Sequence, residues 1–209
     1  MSAHYSTGEF RPTPVLTRGH VHAYAVYTVS MEVVMSTSPS REKLLQTIED
    51  EACAIEKQYH GCSRCALIPI QKHLGLGNNQ VALASTTLAG GIALTGNTCG
   101  ALLGGLLAVG LAVADEDIEN SQAFLDAMGS GFRFVRRFQK EFDATTCGDL
   151  QTARLGAYYS MASTEEYKEF VKAGGYDVCS QLVGRASRLA AEFILELNDK
   201  GAVRAPLAI

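Results

Sequence analysis

Six cysteines are spread along the 209-residue chain: Cys53, Cys62, Cys65, Cys99, Cys147 and Cys179. A thiolate is both a nucleophile and a soft metal ligand, so this residue type carries most of the chemistry the sequence can offer. Six is few for a disulfide scaffold of this length, and in a reducing compartment such a set points to metal or redox chemistry. Position says more than number. Thr98 can cap a helix and place Cys99 in its first turn, ahead of Gly100-Ala101-Leu102-Leu103-Gly104-Gly105. The free N–H groups and macrodipole of a first turn favour a thiolate. Cys65, Cys147 and Cys179 fall at the starts of three further expected helices. Four helix starts aimed at one place would favour an anion.

An iron–sulfur cluster held by four thiolates is such an anion, tuned by N–H···S bonds and burial. Cys65, Cys99, Cys147 and Cys179 are therefore candidate ligands of a cluster, [2Fe–2S] or [4Fe–4S], the reading the family resemblance given below favours. Gly100 joins the cofactor-binding set because a residue without a side chain lets other groups approach Cys99 closely. Cys53 and Cys62 are expected to be dispensable, Cys53 as a packing residue. Two other chemistries use the same residues. A reversible dithiol gains from a lowered thiol pKa. Zinc in a four-cysteine site takes paired, close-spaced ligands, and only Cys62-x-x-Cys65 has that spacing.

A rival of another class is a thiol–disulfide oxidoreductase using Cys62 and Cys65, with His73 as proton carrier. Helical proteins with a Cys-x-x-Cys-x-x-x-His motif are the nearest analogy, but Pro69 stands where that histidine would be. No Ser-His-Asp set, paired-carboxylate motif or phosphate loop is visible. Electron transfer or redox sensing is favoured over turnover of an organic substrate, and whether the chain is an enzyme stays open.

The elements that must position these residues are helical. Apolar residues make up 47% of the chain and charged ones 19%, enough for one globular core. The net charge of −4 gives no electrostatic case for nucleic acid. Leu44, Leu45, Ile48, Ala52, Ile55 and Tyr59 recur at helical spacing behind a Ser38-Pro39 start. Gly61 closes this helix, and the next runs from Cys62 to His73, with a kink or late start expected at Pro69. Asn78 or Asn79 opens a third, ending at Gly90-Gly91.

Leu106 to Ala114 is apolar on every face, which reads as a central, fully buried helix. A membrane span is disfavoured, because glycines break the uncharged run and Cys99–Ala114 falls short of about 20 residues. Phe124, Leu125, Met128, Phe132, Val135, Phe138 and Phe142 mark a long amphipathic helix, with Arg133, Arg136, Arg137 and Lys140 on its wet face. Thr145 or Thr146 caps a helix at Cys147, and Ser163 and Glu166 form a capping box. Asp177 is expected to cap the last helix, with Cys179 in its first turn.

The reading is an all-α bundle around a buried glycine-rich central helix, over residues 36–200, with a short tail over 201–209. Residues 1–35 read as an extension outside the fold. Pro12 and Pro14 break them, His20-x-His22 is a weak metal pair, and Met35 looks like a natural start.

Gly61-Cys62-Ser63-Arg64-Cys65-Ala66, the glycine loop with Cys99-Gly100-Ala101-Leu102-Leu103-Gly104, Thr146-Cys147-Gly148 and Cys179 carry a resemblance over about residues 36–198. The chain resembles the redox-active family named for its C_GCAxxG_C_C cysteine pattern. The resemblance implies a small all-helical domain, often linked to transporters, with a redox role. It also implies kinship with the iron–sulfur domain of split-Soret cytochromes, although no Cys-x-x-Cys-His haem motif is present. The expected partner is a redox protein, with a homodimer and a functional link to a membrane transporter as further expectations, in the cytoplasm.

Overall fold

A computed structural model describes residues 40–209. The expected extension over residues 1–35, its histidines and the Ser38-Pro39 helix start lie outside the described residues. Eight α-helices, and no sheet among the described residues, make up the fold, in agreement with the expected all-α class. They are α1 (Arg41–Tyr59), α2 (Cys62–Leu74), α3 (Asn79–Ala84), α4 (Gly100–Val113), α5 (Ser121–Phe142), α6 (Cys147–Leu155), α7 (Thr164–Lys172) and α8 (Gly175–Asp199).

Local chemistry sets the starts. The side chains of Ser40, Asn78, Asn120, Thr146 and Ser163 accept N–H bonds from the first turns of α1, α3, α5, α6 and α7. Gly75 and Gly156 end α2 and α6 in the left-handed conformation. Helix α1 lays Leu45, Ile48 and Ala52 along α8, and α2 lies along α4. Both α2 and α4 also rest on α8, whose Val183, Ala186, Ala190 and Ile194 are fully buried.

Five expectations are corrected. Helix α2 does not start late: it runs from Cys62 through Pro69, because burial of Leu67, Ile70 and Leu74 offsets the one backbone bond a proline removes. The third helix passes into a 3-10 turn over Ser85–Leu88. Helix α8 starts at Gly175 with Gly174 as its cap, not Asp177. Helix α4 is buried on one side only: Ala101, Gly105, Ala108, Val109 and Ala112 are covered, while Leu103, Leu106, Leu107, Gly110 and Leu111 are partly open. In α5 the covered residues are Ala123, Ser130, Phe134, Phe138 and Phe142, whereas Phe124, Leu125, Met128 and Phe132 face outward. Arg137 helps fix that rotation, because its guanidinium donates to Glu192 and Glu196 of α8. No helix among the described residues is long and apolar enough to cross a membrane.

Candidate functional site

The close approach of α2 and α4 builds the site. Gly104 lies against the Ser63 carbonyl of α2, and a Cβ there would overlap that oxygen. One turn earlier, a Cβ on Gly100 would overlap the sulfur of Cys62. The glycines of Cys99-Gly100-Ala101-Leu102-Leu103-Gly104 therefore serve as a backbone-to-backbone crossing that seats the Cys62 sulfur on the start of α4.

The loop before α4 brings in the third thiol. Residues 90–94 all have positive φ, and Ile92, Ala93 and Leu94 are not glycines. Each of those three costs about 1–2 kcal/mol in the left-handed conformation. The turn is held by Ile92, Ala93 and Leu94 N–H bonds to the carbonyls of Leu88, Thr87 and Ala89. It then zips to the start of α6. Cys99 N–H donates to Thr145 O at 2.8 Å, Cys147 N–H to Asn97 O at 2.6 Å, and Gly148 N–H to Gly96 O at 3.0 Å. Gly91 leaves room for Cys147, since a Cβ on it would stand 2.7 Å from the Cys147 Cβ.

The outcome is one cavity of about 30 Å³ with Cys62, Cys99, Cys147 and Cys179 in its wall. Leu150, Gln151, Leu155, Val178, Leu182 and Val183 complete an otherwise apolar lining, with Arg154 at the edge. Cys62 and Cys147 are the first residues of α2 and α6, and Cys99 is itself the cap of α4. Cys179 stands one turn inside α8 rather than in its first turn.

Of the four expected cysteines, Cys99, Cys147 and Cys179 line this cavity. Of the Cys62-Ser63-Arg64-Cys65 turn, Cys62 faces the cavity and Cys65 does not. Cys65 is fully buried in the bundle core, where its thiol meets the carboxylate of Glu56. Three residues along a helix turn a side chain by most of a circle without returning it to the same line. The sulfur that lies against Gly100 is that of Cys62. Cys53 packs beside Gly184 of α8, away from the cavity. His73 lies about 12 Å further along α2 than Cys65, bonded to Glu51 at 2.7 Å. It is not in reach of the thiols.

All six cysteines are free. Burial pushes the Cys62, Cys147 and Cys179 thiols up, and Cys99 up to about 12. Neighbouring thiols and Glu56 add to the rise at Cys62, Cys99 and Cys179. Opposing this, N–H groups are aimed at three of the sulfurs: Gly90 at Cys62, Leu102 and Ala101 at Cys99, and the Gln151 side-chain amide at Cys147, at 3.5 Å. Glu56 is itself buried, and burial raises its pKa; Gly61 N–H donates to it at 2.9 Å. Sequence reasoning considered Cys62 only as part of the Cys62-x-x-Cys65 pair and set it outside the four-cysteine group, and it missed Glu56, Gln151 and Arg154. Of those three only Gln151 had a readable signal, its i+4 spacing from Cys147 on α6.

A family model described as "Putative redox-active protein (C_GCAxxG_C_C)" matches residues 60–193. The chain belongs to this family. The match takes in the crossing, the loop and all four cavity thiols. No curated protein and no solved structure matches the chain.

For a redox-active family member the donor set is the first test of a cofactor. Four soft donors share one water-poor cavity, and N–H groups face three of them, the pattern that tunes a thiolate-held cluster. Among the described residues no group of three or more His, Cys, Asp or Glu is arranged to hold a metal ion. A cluster spreads its four thiolates over several irons, so its ligands stand wider apart than those of a single zinc. The cavity as it stands has room for about a water molecule. Its four sulfurs are the soft donors that iron–sulfur clusters and zinc take.

Proposed function

We propose that Cys62, Cys99, Cys147 and Cys179 hold an iron–sulfur cluster, and that the protein transfers electrons to a redox partner protein or senses redox state. The observation that carries this reading is the convergence of four thiols from four different helices on one apolar cavity. When bound, the cluster would supply a one-electron couple. The chain's own residues do the rest. Gly90, Ala101, Leu102 and Gln151 supply N–H groups that stabilise thiolate charge. Leu150, Leu155, Leu182 and Val183 keep water away. Arg154 at the rim places a positive charge near Cys179.

The thiol–disulfide reading has less support. It needs a thiol of lowered pKa that solvent can reach. Here burial raises the thiols, and Cys62 and Cys65 point to different surroundings.

The test is reconstitution with iron and sulfide without oxygen, followed by iron and sulfide analysis and an absorption spectrum. Brown protein with both elements bound is expected. Colourless protein that excludes iron under those conditions overturns the reading.

A further inference from the structure

Outside the cysteine site, the largest unexplained feature is an apolar face shared by α4 and α5. Phe124, Leu125, Met128 and Phe132 are 58–68% exposed. Phe124, Met128 and Phe132 recur every four residues, so they share one side of α5. Leu106 of α4, partly open, reaches under Gly131 of α5, and the partly open Leu103 and Leu107 continue that side of α4 at helical spacing. Beyond Leu107 lies an open groove of about 790 Å³, floored by Leu107, Gly110 and Leu111. Among the described residues a Cβ on Gly110 would meet nothing within 4 Å, so the floor admits another chain's side chains. A helix apolar on every face is normally covered on every face. Contiguous exposed apolar area beyond a few hundred Å² marks an interaction surface.

We infer that this face pairs with the same face of a second copy of the chain, the two α5 helices running antiparallel about a two-fold axis near Met128. Charge selects that occupant. The approach to α5 is acidic, with Glu116, Asp117 and Glu119, and its second half is basic, with Arg133, Arg136 and Lys140. None of these six makes an ion pair among the described residues. Antiparallel pairing sets each acidic end beside the partner's basic end. It also places Phe124, four residues before Met128, opposite Phe132, four residues after it. Parallel pairing would set like charges side by side. A two-fold interface uses one patch twice, so a face that complements itself only when reversed fits that symmetry. The pairing involves none of the cysteines, so its failure leaves the cluster reading untouched.

Sedimentation velocity on the full chain tests this. The expected result is a species of twice the chain's mass. Met128→Lys, at an exposed position near the axis, should weaken self-association at least about tenfold while circular dichroism stays unchanged. The charge-reversed variant Arg136→Glu with Lys140→Glu should also weaken it. Adding Glu116→Lys and Glu119→Lys to that variant should restore it. A wild-type monomer at tens of micromolar overturns the proposal. So does a dimer insensitive to Met128→Lys. So does a monomer that floats with anionic phosphatidylglycerol vesicles, which would assign the face to a membrane surface.

Discussion

At the scale of single residues, the site turns on which sulfur of a four-residue turn meets Gly100. The variant Cys62→Ser should lose bound iron and colour after reconstitution, whereas Cys65→Ser should keep both. Iron analysis of the two proteins side by side decides it, and the opposite pattern would return Cys65 to the ligand set. Gly100→Ala should also lose iron, because its Cβ would overlap the Cys62 sulfur, and should cost about 1–3 kcal/mol in a urea melt. The sequence pointed to the start of α4, although Cys99 is itself the cap there in place of the expected Thr98, and the close approach at Gly100 was readable from its missing side chain. The choice between Cys62 and Cys65 was not, because both lie in the first turn of α2 and only the crossing of α4 distinguishes them. Cys65 has its own signature. Burial and Glu56 push its thiol up to about 12, against an ordinary value of 9.0. A thiol held protonated in the fold stabilises it fully below the unfolded pKa, and that contribution falls as pH rises towards the folded one. Metal-free wild-type protein should therefore lose more stability between pH 9 and 12 than Cys65→Ala does. Melts across that window on the two proteins measure the difference.

At the scale of elements, glycine does two jobs that composition cannot tell apart. Gly104→Ala should destabilise the protein by about 1–3 kcal/mol, because the Ser63 carbonyl occupies the space its Cβ needs. Gly129→Ala should do the reverse and stabilise by about 0.5–1 kcal/mol. Gly129 is inside α5, and among the described residues the only atom near its Cβ position is the flexible end of Arg133, at 3.6 Å. Denaturant midpoints of the two variants should move in opposite directions. The helices themselves were largely readable from capping residues and apolar spacing. The faces of α4 and α5 were not. A uniformly apolar helix carries no periodicity to orient it. In α5 the sequence holds two apolar arcs, Phe124-Met128-Phe132 and Phe134-Phe138-Phe142. Only the Arg137 pairing with Glu192 and Glu196, together with the narrow space beside Gly105, settles which one turns inward.

At the scale of the whole molecule, the bundle divides into a tight part and a lightly attached wall. Helices α1, α2, α4 and α8 share the core and carry most of its fully buried side chains. Helix α6 supplies Cys147, Leu150, Gln151, Arg154 and Leu155 to the cavity, yet among the helices it packs appreciably only on α8. Its other ties include the bonds that zip residues 145–148 to residues 96–99, the bond from Tyr159 N–H to the Gln151 side chain at 3.0 Å, and the Arg154 guanidinium lying 5.7 Å from the centre of the Phe142 ring of α5. Local opening follows local contact density, so α6 belongs to the low-stability end of this molecule. A cofactor held by one thiol from α6 and three from α2, α4 and α8 would tie that wall to the core. Binding to the folded form alone adds stability wherever the ligated element would otherwise open. Hydrogen exchange should therefore find the amides of residues 150–155 exchanging much faster than those of α2, α4 and α8 in metal-free protein. After reconstitution with iron and sulfide, their protection should rise by at least about tenfold, while the core helices change little. Equal protection of α6 with and without iron would mean that Cys147 is not a ligand.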